Sequence, residues 1–120
     1  MGGFHRAIRP TVREALAAAR AARHQGDAKT EFACLERAHI LGQASTRWHV
    51  LVHAHMLWWG IRQRSLTEVV GQVLRIVGAA TKTVLGWVPE GNTGGSNVNP
   101  FKPMPVPVSL AAKIRAAKKR

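Results

Sequence analysis

Apolar positions recur every three or four residues along roughly the first 85 residues, and polar caps divide that pattern into four helical segments. Thr11-Val12-Arg13-Glu14 reads as a capping box, and the alanine-rich run behind it favours helix until Gly26, which suits a C-terminal cap. This predicts helix one over roughly residues 11–25. Asp27 is placed to cap a second helix, in which Ala28, Phe32, Leu35 and His39 recur with helical spacing until Gly42. Helix two is expected over about 28–41. Ser45 or Thr46 opens a third segment, apolar on nearly every face from Trp48 to Ile61, as befits a helix buried among others and ending near Arg62. Ser65-Leu66-Thr67-Glu68 is a second capping box. Behind it Val69, Val70, Val73, Val77, Ala80 and Val84 form one stripe, and Gly86 and Pro89 stop it, giving helix four over roughly 66–85. Its many β-branched residues leave a strand as the alternative. Short connections force successive helices to run antiparallel, so the expected fold is all-α, with four antiparallel helices around one core.

Beyond helix four the composition changes. Trp87 to Pro107 contains every proline except Pro10, with Gly91-Asn92-Thr93-Gly94-Gly95 suited to turns and Pro103-Met104-Pro105-Val106-Pro107 to extended geometry. Trp87, Val98, Phe101, Met104 and Val106 are costly to leave in water, so this stretch is expected to lie as an ordered strap across the helices. Ser109 is placed to cap a short basic helix running from Leu110 to Arg120. The organisation is then a basic arm over 1–10, a helical core over 11–86, a Gly/Pro-rich strap over 87–108 and a basic helix over 109–120. At 120 residues the chain is long enough for one core and too short for two.

Charge refines this picture. Lys and Arg number 18 against 6 acidic residues, for a net +12, and the excess is concentrated at the two ends. Residues 25–91 hold seven basic and five acidic residues, so the core is nearly neutral. Arg6, Arg9, Arg13, Arg20 and Arg23, with Lys113, Arg115, Lys118, Lys119 and Arg120, have the charge to neutralise phosphates. No recognisable nucleic-acid-binding module accompanies them, so solvated ends are preferred and any nucleic-acid binding is expected to be weak and nonspecific. The single cysteine, Cys34, excludes an intramolecular disulfide and Cys-x-x-Cys motifs. The apolar stretches are interrupted by His53, His55, Gln72, Arg75 and Lys82, short of the ~20 clean residues of a membrane span. Without a secretory or myristoylation signal at the start, a soluble cytoplasmic protein is expected.

The run Glu36-Arg37-Ala38-His39-Ile40-Leu41-Gly42-Gln43 is followed by Trp48-His49, His53, Met56-Leu57 and Trp59-Gly60, then by Glu90-Gly91-Asn92-Thr93-Gly94-Gly95, Pro100 and Pro103-Met104-Pro105. Together these segments resemble a bacterial family of small helical proteins that carry a domain of unknown function, over roughly residues 6–115. The resemblance implies no established activity; it does imply genes found among heavy-metal-resistance and mobile-element clusters. A second likeness concerns architecture only. The Gly26-Asp27 turn, Leu35-Glu36-Arg37-Ala38 and a 34-residue offset between the expected starts of helices one and three resemble a tetratricopeptide repeat, although the Trp-Leu-Gly-Tyr pattern of its first helix is absent.

At helical rotation His49, His53, Met56 and Gly60 share one face of helix three, within roughly 60° of arc. His39 lies on the side of helix two that carries Leu35 and Phe32, with Glu36 a turn earlier on its flank. A short turn brings the end of helix two beside the start of helix three, so the hairpin can gather Glu36, His39, His49 and His53. Imidazoles with a carboxylate suit zinc, iron, nickel or copper, and Met56 adds a soft donor fit for Cu(I). Glu36-x-x-His39 resembles half of a di-iron carboxylate site; the other half is missing, since helices one and four offer only Glu14 and Glu68, both at first turns. The competing account is a metal-free polar core in which the histidines hydrogen-bond one another and Glu36. The dipole at the start of helix three favours neutral His49, and the opposite helix end favours protonated His39. Cys34 lies about 140° around helix two from His39, outside the cluster, and His5 and His24 are expected at the surface.

Trp58 and Trp59 supply the rival function, a tryptophan-rich face through which a helical adaptor binds a protein partner. A second copy of the chain is another candidate partner. No nucleophile, base and oxyanion-stabilising set is visible, which disfavours an enzyme, and the glycine-rich segment lacks the Lys-Ser/Thr ending of a phosphate loop. The leading functional reading is a small accessory protein in metal handling.

Overall fold

The computed structural model describes residues 2–84 and 104–119. Among these residues the regular elements are all helical: α1 (Gly2–His24), α2 (Ala28–Gly42), α3 (Thr46–Arg62), α4 (Leu66–Val84) and α5 (Val108–Lys118). The expected strap falls largely on 87–103, outside the described residues.

The caps follow local chemistry. Gly26 has φ +73°, the left-handed conformation that glycine adopts without steric penalty, and it separates α1 from α2. Asp27 then caps α2 by accepting from the Thr30 amide at 3.0 Å. Ser45 caps α3 through the Trp48 amide, and Ser65 accepts from the Glu68 amide at the head of α4. α5 departs from expectation. It begins at Val108, after the extended Pro107, and Ser109 lies inside the helix instead of capping it.

α1 also starts much earlier than residue 11. Pro10 lies within it, and the segment expected as a basic arm is helical from Gly2. The reason is a continuous inward stripe: half-buried Phe4 and buried Ile8, Val12, Ala15, Ala19 and Ala22 follow one another at three or four residues, while Pro10 stays exposed. His5, expected at the surface, is half-buried and fastens this end. Its ring stacks on Trp48 with centroids 5.1 Å apart, its Nδ1 meets Ser45 Oγ at 2.9 Å, and its carbonyl accepts from Trp48 Nε1.

Among the described residues, the main buried cluster draws on α1, α2, α3 and α5. It takes Ile8, Val12, Ala15 and Ala19 from α1; Leu35, Ala38, Ile40 and Leu41 from α2; Trp48, Val52 and Met56 from α3; and Leu110, Ile114 and Ala117 from α5. Among the described helices, α4 packs only against α3, and α5 returns onto α1 and α2. Within the expected apolar stripe of α4, Val70, Val73 and Val77 are exposed and Val69 is half-buried, whereas Gln72 and Ala79, outside the stripe, are buried. Two glycines allow close passages. An added Cβ at Gly42 would lie 2.8 Å from Trp48 Cβ, and one at Gly60 would lie 3.2 Å from Glu68 Cβ, bringing the backbones of α3 and α4 together.

Candidate metal centre

The site begins with spacing. His49 and His53 are four residues apart on α3, and His39 is in the last turn of α2, so the tight α2–α3 connection sets all three rings into one buried space. The ring centroids form a near-equilateral triangle: 4.9 Å for His39–His49, 4.7 Å for His39–His53 and 4.9 Å for His49–His53. One potential ligand nitrogen from each ring lies within 4.8 Å of the other two. His39 Nε2 and His49 Nε2 stand 3.1 Å apart, one donating and the other accepting.

A relay from α4 fixes the third ring. His53 Nδ1 meets Gln72 Oε1 at 2.6 Å, and Gln72 Nε2 donates to Glu68 Oε2. A carboxylate only accepts, so Gln72 must turn its NH2 toward Glu68 and its carbonyl oxygen toward His53. His53 therefore carries its proton on Nδ1 and keeps the Nε2 lone pair available. Burial brings His49 down to about 3, and the neighbouring His53 adds to the shift. Burial brings His53 down to about 4, opposed by the Gln72 hydrogen bond and reinforced by the Arg75 charge. Both rings are neutral at pH 7, the protonation state of a metal ligand.

The structure brings together His39, His49 and His53, and the convergent set does not include Glu36. Glu36 is half-buried on the flank of α2, one turn before His39. Met56, one turn beyond His53, is fully buried in the hydrophobic cluster. Glu68 is linked to the trio through Gln72. Sequence reasoning missed this pair, although a single Gln one turn after Glu68 in a valine-rich helix was the available signal.

Trp58 and Trp59 sit in different surroundings. Trp58 is 53% exposed. Trp59 is half-buried against Phe32, with centroids 4.5 Å apart, and its Nε1 donates to the Ala28 carbonyl at 2.9 Å, pinning α3 to the start of α2. Beside them Arg62 makes a two-pronged ion pair with Glu31, whose side chain is almost entirely buried. His55 points away from the trio's face. It is held below its ordinary pKa first by partial burial and then by the charges of Arg20, Arg23 and Arg62. Cys34 is half-buried against the core, and His24 is exposed. No helix among the described residues is long and apolar enough to cross a membrane.

Fold and site together define an all-helical protein with a buried three-histidine cluster between two successive helices, tied to a third helix through glutamine. The chain belongs to the family described as Protein of unknown function (DUF3703), whose model matches residues 6–114. No curated protein and no solved structure matches it.

Proposed function

We propose that the protein binds one transition metal ion through His39, His49 and His53, as a small accessory protein in metal handling. The observation that carries this reading is the convergence of three buried imidazoles, two of them held neutral, with one nitrogen from each within 4.8 Å of the others. In a tetrahedral site with metal–nitrogen bonds of about 2.0–2.1 Å, neighbouring donors stand roughly 3.3 Å apart. The 3.1 Å separation of His39 Nε2 and His49 Nε2 is already close to that spacing. Binding there needs the proton between them to move to the far nitrogen of its own ring, a tautomer change without net charge. Three imidazoles leave a fourth position for water or a cargo ligand, and neutral nitrogen donors suit zinc, copper, nickel or iron. Gln72 orients His53 as outer partners of metal-bound histidines do, and Glu36 is a neighbouring carboxylate placed to steady His39. Met56 is the adjacent soft donor on the same face of α3, the feature that favours Cu(I) among these ions.

The direct His39–His49 hydrogen bond supports a second reading, a metal-free polar core that locks the hairpin. Equilibrium dialysis of tag-free protein against Zn(II), Ni(II) and Cu(II), with bound metal measured by mass spectrometry, separates the two. The metal reading requires one tightly held ion per chain, lost in His49→Ala. Folded wild-type protein that takes up no ion overturns it and leaves the polar core. Cobalt(II) spectra of the wild type add the coordination geometry.

A further inference from the structure

On the side of α3 turned toward α1, a cleft of about 360 Å³ opens between α1, α2 and α3. Arg13, Arg20 and Arg23 line it from α1, Arg62 and Trp58 from α3, and Glu31 from α2. Helical rotation places Arg13, Arg20 and Arg23 within roughly 80° of arc, so one face of α1 directs three guanidinium groups to the same opening. Glu31 is the only carboxylate in the lining, and both of its oxygens are taken by Arg62. Among the described residues Arg13, Arg20 and Arg23 have no carboxylate partner. Arg62 itself retains a buried Nε without a hydrogen-bond partner. A concave site thus concentrates more fork-shaped cationic donors than its one anion can neutralise, with an exposed indole at its edge.

We infer that this cleft binds a phosphorylated aromatic small molecule of the size of a nucleoside diphosphate. Guanidinium forks match phosphate oxygens two at a time, which recovers the cost of gathering like charges. Trp58 offers a flat face on which a base stacks, and the aliphatic floor of the cleft accepts the remaining apolar surface. The volume lies at the small end of ligand pockets and holds about one nucleotide, whereas an extended strand would need a groove continuing beyond it.

A protein with this net charge attracts any polyanion, so the test must separate a built site from diffuse attraction. Calorimetric titration of the full chain with ADP, pyrophosphate, adenosine and a ten-residue oligothymidylate provides the arms. ADP is expected to bind saturably, pyrophosphate more weakly and adenosine not at all. Arg20→Gln/Arg23→Gln should weaken ADP by about tenfold or more, while Lys113→Gln/Arg115→Gln on α5, which removes the same charge, should change it by less than about twofold. Trp58→Ala should abolish the advantage of ADP over pyrophosphate. All of these positions are exposed, so circular dichroism should be unchanged. Equal loss in the two double variants, no saturable ADP binding, or an oligonucleotide that outcompetes ADP would each overturn the proposal.

Discussion

Two faces of α3 place nitrogen-rich side chains in contrasting surroundings. On the inner face His49 and His53 are enclosed by α2 and α4, and each is driven neutral. On the face toward α1, Arg62 joins arginines of α1 around an open cleft. The difference shows how solvent access and the titration range of the side chain jointly decide which kind of basic group a helix can carry. An imidazole gives up its proton when buried and becomes a donor for soft or borderline cations. A guanidinium cannot, so it either takes a buried carboxylate, as Arg62 does, or stays near water and waits for an anion.

The strongest way to break this contrast is to remove the charge that Glu31 relies on. Arg62→Ala should destabilise the protein by about 3–5 kcal/mol in urea denaturation, because it leaves a carboxylate buried without its partner. Adding Glu31→Leu should restore much of that loss. Acidification tests the inner face. The folded-state pKa values of His49 and His53 lie below the ordinary 6.5, so as pH falls through 6.5 the unfolded chain takes up protons that the native rings refuse. Stability should therefore be fully present above about pH 7 and decline down to about pH 3–4, with a loss of order 2 kcal/mol for each histidine by pH 5. Denaturation midpoints unchanged between pH 7.5 and 5 would contradict the buried, neutral rings.

A smaller effect separates the relay from simple packing. Gln72→Leu strands the Nδ1 proton of His53 and should cost about 1–3 kcal/mol. If the metal reading holds, it should also weaken ion binding by roughly 10–100-fold without changing the stoichiometry. The mildest change is Trp59→Phe, which keeps most of the contact with Phe32 and loses the bond to the Ala28 carbonyl. It should lower stability by about 0.5–1.5 kcal/mol and leave both faces of α3 otherwise intact.

The middle of the fold was legible because its punctuation is local. Gly26, Asp27, Ser45 and Ser65 act within one turn of their own positions, so the limits of α2 and α3 could be read closely from the chain. The trio was readable for the same reason, being an i, i+4 pair joined by a tight turn to the end of the preceding helix. What escaped depends on distant partners. Pro10 beside a capping box looked like a helix start, while the stripe from Phe4 through Ile8 to Val12 acquires its meaning from distant partners on α2, α3 and α5. The valines of α4 looked like core, yet its inner face carries Gln72, which hydrogen-bonds His53. Leu110 and Ile114, set among basic residues, gave no sign that α5 would complete the hydrophobic cluster.

That late arrival of α5 also bears on synthesis. The groove between the two earliest helices acquires its final wall from a segment translated near the end of the described chain. Until those residues leave the ribosome, the apolar surfaces of α1 and α2 lack part of their native cover, and a nascent chain halted before α5 presents a greasy seam to chaperones and proteases.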